Sequence, residues 1–88
     1  MIEKTVKVIN RAGVHARPSA LLVQATKNFK SNIYIEKEDY RINAKSIMGI
    51  ITLGAGYGAE LKIIADGEDE EAVIETLVKL FESKFEEE

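Results

Sequence analysis

The sequence predicts a two-layer α+β sandwich, one four-stranded sheet with its helices packed on a single face. Three observations carry that expectation. Short segments alternate polar and apolar residues with the period of a half-buried strand, longer ones repeat apolar residues at helical spacing, and together they fall in the order βαββαβα. The alternation leaves one sheet face polar, so only the other needs covering. With 88 residues, 45% hydrophobic and 31% charged, the chain has room for one domain over residues 1–88. It has no Cys, so its core must hold without disulfides, and thiol catalysis and thiolate clusters are excluded. The pattern does not fix strand order, since a ferredoxin-like arrangement shares most of this element order.

Residues 5–9 alternate Thr5 and Lys7 with Val6 and Val8 and predict the first strand. Turn residues Asn10, Arg11, Ala12 and Gly13 follow, and Pro18 stands where the first turn of a helix tolerates a missing N–H. A helix over about residues 16–29 is expected, with Pro18, Leu22, Ala25 and Phe29 against the sheet and Gln24, Lys27 and Lys30 toward water. Ile33 and Ile35 around Tyr34, the turn pair Glu38-Asp39, then Tyr40 and Ile42 read as a hairpin.

Ser46 is placed to cap a short helix through Ile47-Met48-Gly49-Ile50-Ile51-Thr52-Leu53, closed by Gly54; Gly49 is its weak point. Gly54-Ala55-Gly56-Tyr57-Gly58 reads as a connector, because it precedes a strand and no Lys-Ser or Lys-Thr follows it. Leu61, Ile63 and Ala65 mark the last strand, ended by Asp66-Gly67. Asp69 is expected to cap a final helix with Glu70 and Glu71 in its first turn. Its buried stripe is read as Ile74, Leu77, Val78, Phe81 and Phe85, and the repelling Glu86, Glu87 and Glu88 are expected to fray.

Twelve basic against fifteen acidic residues give a net charge of -3, which disfavours a polyanion binder, so no direct nucleic-acid contact is expected. The start carries no basic segment leading into a long apolar one, and no stretch approaches the roughly 20 apolar residues a membrane helix needs. A cytoplasmic monomer without membrane insertion is expected. One His cannot supply a transition-metal site, and the acidic run at residues 68–71 lacks the spacing of a calcium loop, so neither metal nor cofactor is expected. Ser19, Ser31, Ser46 and Ser83 lack the setting of a hydrolase nucleophile.

The remaining chemistry converges on His15. Alone, it reads as an exposed turn residue and Arg17 as a surface cation. At a helix start the reading changes. A neutral imidazole keeps a lone pair able to attack phosphorus, the first-turn amides have no intrahelical acceptor, and Arg17 adds a donor fork suited to phosphate oxygens. Farther on, Ile47, Met48, Ile50 and Ile51 exceed what one face of a short helix can bury, and Met48 is the residue expected at the surface. Ser46 suits both capping and phosphorylation.

Two hexapeptides, Gly13-Val14-His15-Ala16-Arg17-Pro18 and Ala44-Lys45-Ser46-Ile47-Met48-Gly49, together with Leu53-Gly54 and Asp66-Gly67-Glu68-Asp69-Glu70, resemble the histidine-containing phosphocarrier (HPr) family of the phosphoenolpyruvate-dependent sugar phosphotransferase system. The resemblance covers essentially the whole chain. It implies an open-faced β-sandwich, an antiparallel sheet in the order 1-4-2-3 with three helices on one face. It implies that His15 takes a phosphoryl group on Nδ1 from phosphorylated enzyme I, with Arg17 as phosphate partner, and passes it to EIIA domains of sugar permeases. The protein is then a carrier with a phosphohistidine intermediate, not an independent turnover enzyme. The Lys-Ser-Ile-Met-Gly motif is similar to Gram-positive-type members, which implies modification of Ser46 by an HPr kinase/phosphorylase and a role with a catabolite-control repressor. Ala16, Arg17, Ala20, Lys45, Ile47, Met48, Ile51 and Thr52 are the implied partner surface. One departure is Ala12, which stands where the family usually has a small polar residue near the phosphoryl group. Three other readings remain: a regulatory module acting only through Ser46, a nitrogen-branch phosphocarrier, and a ferredoxin-like ligand sensor.

Overall fold

In the computed structural model, which describes residues 1–86, seven regular elements follow one another. They are β1 (Ile2–Lys7), α1 (Ala16–Thr26), β2 (Asn32–Lys37), β3 (Tyr40–Asn43), α2 (Ile47–Thr52), β4 (Glu60–Asp66) and α3 (Glu70–Glu82), with a 3-10 turn at Lys84–Glu86. The expectations for Glu87 and Glu88 lie outside the described residues. The strands form one antiparallel sheet in the order β1-β4-β2-β3, as the family resemblance implies.

Strand parity divides the sheet into two unlike faces. Ile33 and Ile35 of β2, Ile42 of β3, and Leu61, Ile63 and Ala65 of β4 point to the helices and are buried. They meet Leu22 of α1, Ile50 of α2, and Val73, Leu77 and Phe81 of α3. The opposite face carries a charge lattice, with Lys62 Nζ 3.7 Å from Glu3 and 3.9 Å from Glu36, and Arg41 Nε 3.1 Å from Glu36. Such surface pairs contribute about 0–1 kcal/mol each, so the helix-side core carries the stability. Ile64 is the apolar exception on this face; it is buried, in register with Glu3 and Tyr34, and Arg41 stacks over the Tyr34 ring at 5.6 Å.

Several boundaries differ from the pattern. Strand β1 starts at Ile2 and stops at Lys7, with Val8 bonded to the 58–59 backbone beyond it. Helix α1 stops at Thr26, and its buried positions are Pro18, Ser19, Leu22 and Thr26, leaving Ala25 and Phe29 half-buried. Two hydroxyls thus replace expected apolar contacts. They are tolerated because Ser19 Oγ donates to the His15 carbonyl (2.6 Å) and Thr26 Oγ1 lies 3.0 Å from the Ala44 carbonyl. In α3 the buried stripe is Val73, Leu77 and Phe81, with Ile74 and Val78 at its margins. Phe85 is buried as expected, but not on the helix: Lys84, Phe85 and Glu86 turn back with φ of 57°, 54° and 62°. Left-handed backbone costs about 1–2 kcal/mol per residue. Burial of the Phe85 ring, edge-on to Phe81 at 4.8 Å, offsets it.

Asp69 occupies the N-cap position of α3, yet its carboxylate does not cap. It accepts instead from Ser31 Oγ, from the Lys30 N–H (2.8 Å) and from the Ser31 N–H (2.9 Å), tying the α1–β2 loop to the start of α3. The Gly67 N–H is taken by Glu70 Oε1 at 3.1 Å. The Ser31 hydroxyl first, and then the Lys30 amide, hold the Asp69 carboxyl below the usual carboxylate range. A group with a lowered native pKa contributes stability that is present above its unfolded value and is lost as pH falls through the native one. We therefore expect thermal melts of Asp69→Asn and the parent to differ most near neutral pH and to converge as the pH drops through and below the usual carboxylate range. A gap independent of pH would contradict this assignment.

Candidate phosphoryl-transfer site

The segment carrying His15 is a turn pinned on both sides. The Gly13 N–H donates to the Asn10 carbonyl at 3.1 Å, and Asn10 Nδ2 returns a bond to the Gly13 carbonyl at 2.7 Å from a buried side chain. The Val14 N–H donates to the Ala55 carbonyl at 2.8 Å. Gly13 sits at φ +76°, and a Cβ there would lie 2.7 Å from the Ala55 oxygen and 2.9 Å from the Gly56 Cα. Only glycine allows the two loops to come this close. Loop 54–58, which the pattern gave no role beyond connection, is the seat of the His15 turn.

From that seat the chain enters α1. His15 is its N-cap residue, in extended conformation (φ -106°, ψ -159°), and is exposed. Its side chain makes no capping bond, while its carbonyl accepts from the Ser19 N–H (2.9 Å) and the Ser19 hydroxyl (2.6 Å). The first turn holds no acidic residue, so its positive dipole end is not neutralised from within the helix. Arg17 is exposed and Pro18 is buried. His15 and Arg17 are therefore both exposed at the start of α1, beside helix-start amides, a place that can receive an anion.

Helix α2 lies antiparallel beside α1. Near its start Thr26 reaches the Ala44 carbonyl and Lys45 Nζ donates to the Phe29 carbonyl at 2.6 Å; past its end Ala55 holds Val14. Ser46 is thus at the C-terminal end of α1 and His15 at the other. Eleven residues of α1 make that separation about 15 Å. Ser46 Oγ accepts from the Gly49 N–H at 3.1 Å, the expected cap. Gly49 packs against β3, where a Cβ would lie 3.3 Å from the Ile42 Cβ, which accounts for a glycine inside so short a helix.

Relatives agree with this geometry. A family model described as "PTS HPr component phosphorylation site" matches residues 2–83. The chain belongs to the HPr phosphocarrier family of the phosphotransferase system. It is 52% identical over all 88 residues to the phosphocarrier protein HPr of Treponema pallidum, with both chains covered in full. It is 43% identical over 84 residues to the HPr-like protein Crh of Halalkalibacterium halodurans, covering 96% of this chain and 100% of the relative. A crystal structure of HPr-C-His from Thermoanaerobacter tengcongensis superposes with a TM-score of 0.96 at 51% identity, covering 100% of this chain and 99% of that one.

On this HPr framework the sequence-derived surface residues divide into two groups. Ala16, Arg17, Ile47, Met48, Ile51 and Thr52 are exposed, with Ile47, Met48 and Ile51 presenting 41%, 65% and 40% of their surface. Ala20 is half-buried, and Lys45 is half-buried with its ammonium on the Phe29 carbonyl. Ala12 is exposed on the turn and offers no side-chain donor. Asn10, Ser19 and Ala55, which position the His15 turn, escaped the sequence reading; Gly13 in the turn before His15 was the signal of a close backbone approach. Gly13→Ala is expected to cost about 1–3 kcal/mol, from strained backbone and the clash with Ala55. Urea denaturation checks this, and stability within experimental error of the parent would refute the packing argument.

Proposed function

We propose that this chain carries phosphoryl groups on His15 between phosphorylated enzyme I and EIIA domains of sugar permeases, in the cytoplasm. The observation that carries the reading is an exposed imidazole at the N-cap of a helix whose first turn has no acid, with Arg17 two residues on. On loading, a lone pair of the His15 ring nitrogen forms the new N–P bond as the bond from phosphorus to the enzyme I donor breaks; on delivery the EIIA acceptor bonds to phosphorus as that N–P bond breaks and its electron pair returns to the ring, the second ring nitrogen keeping its proton throughout. Helix-start amides and Arg17 hold the phosphoryl oxygens through this exchange. A rim open to solvent favours a carrier, which must release its cargo as readily as it accepts it. Ala16, Ala20, Ile47, Met48, Ile51 and Thr52 supply the apolar docking surface, and Arg17 and Lys45 its cationic edge.

Ser46 is the regulatory position in this reading, phosphorylated by an HPr kinase/phosphorylase, with a catabolite-control repressor as partner of the modified form. A phosphate there adds about -1.5 to -2 charge, some 15 Å from His15 and beyond the screening length of about 8–10 Å in physiological salt. Its effect on transfer therefore runs through docking, by opposing an acidic partner beside Ile47 and Met48. A relative described as a catabolite repression protein, Crh of Bacillus subtilis, favours a second reading, in which this chain is a regulatory module working through Ser46 alone. The presence of His15 weighs toward the carrier.

Incubation with enzyme I and labelled phosphoenolpyruvate tests the proposal. Acid-labile label is expected on the parent and none on His15→Ala, which keeps its fold because the ring is exposed and makes no capping bond. Absence of label on the parent would leave the regulatory reading in place. Ser46→Asp is expected to slow transfer from enzyme I roughly tenfold through charge repulsion, with little change in melting temperature, because Asp caps about as well as Ser. Unchanged transfer kinetics would overturn the electrostatic account.

A further inference from the structure

The β2–β3 hairpin supplies a pair of contacts to the C-terminal end of α2, next to the loop that seats the His15 turn. Lys37 and Tyr40 face each other across the β2–β3 register, and parity puts both on the helix side of the sheet, continuing the rows of Ile33, Ile35 and Ile42. Both reach the C-terminal end of α2. Lys37 Nζ donates to the Leu53 carbonyl at 3.3 Å and the Gly54 carbonyl at 3.4 Å. Thr52 Oγ1 donates to the Gly49 carbonyl at 2.7 Å, so at 3.3 Å it accepts the Tyr40 hydroxyl proton. Helix α2 has no basic residue in its own last turn; Lys37 supplies that charge from another element.

The next residue after Gly54 is Ala55, whose carbonyl holds the Val14 N–H beside His15. One peptide unit therefore links the Lys37 ammonium to the seat of the His15 turn. We infer that Lys37 and Tyr40 are positioning residues for phosphoryl transfer, a clamp that fixes the end of α2 and through it the Gly13–His15 turn. The inference rests on the phosphocarrier reading for its kinetic consequence but not for its structural one.

The test uses the full chain with Lys37→Met, which keeps the apolar stem, Lys37→Arg, which keeps the charge, and Tyr40→Phe, which keeps the ring. Amide hydrogen exchange of Val14 is compared with that of Ile63 in the central strand. Val14 is expected to exchange roughly tenfold faster in Lys37→Met and about threefold faster in Tyr40→Phe, with Ile63 unchanged and Lys37→Arg close to the parent. In transfer from enzyme I, kcat of Lys37→Met is expected to fall while KM stays within about twofold. Unchanged Val14 exchange, equal acceleration at Val14 and Ile63, or a rise in KM alone would overturn the clamp. If the parent takes no phosphate on His15, the carrier reading fails, and the exchange measurement still decides whether the clamp exists.

Discussion

The contact between two loops at the mouth of α1 is the constraint on which the arrangement depends. The Gly13 backbone lies against Ala55 and Gly56, and Val14 is bonded to the Ala55 carbonyl, so the His15 turn has one seat and one direction of entry into the helix. The Val14 and Ala55 side chains on either side of this contact are buried in the core. Backbone against backbone is close-packed and stiff, which suits a residue whose side chain is exposed to solvent. Ser19 completes the hold from inside the helix by satisfying the His15 carbonyl twice.

This placement reconciles two demands on a small domain. Stability must come from one core, and that core is filled by alternate residues of the sheet meeting Leu22, Ile50, Leu77 and Phe81. Function needs apolar groups left outside it, and α2 provides them because six residues are too few to turn every Ile and Met inward. Ile50 is committed to the interior, while Ile47, Met48 and Ile51 remain at the surface. Exposed apolar clusters of this kind are what an interaction surface requires.

The element order, the Ser46 cap, the hairpin turn and the approximate core were readable because each follows from period or from a short-range hydrogen bond. Strand order was not, since β1 pairs with β4 across most of the chain and nothing local records it; the family resemblance supplied it. Asp69 shows the same limit. Its type and position announce an N-cap, but a buried Ser31 brought close by tertiary packing competes for the carboxylate and wins. Likewise Lys37, a charged residue on the core-facing side of a strand, looks like a lapse in alternation until the end of α2 is placed above it. That His15, Arg17 and Ser46 lie at helix starts was legible because it follows from local turn and cap patterns, whereas the loop that seats His15 lies forty residues away.

The polar lattice on the far side of the sheet has its own consequence. Glu3, Glu36, Arg41 and Lys62 balance one another over the β-strands, while His15, Ser46 and the exposed isoleucines stand on the helical side. Substitutions that reset overall charge can accumulate on that strand surface without touching His15, Ser46 or the exposed isoleucines.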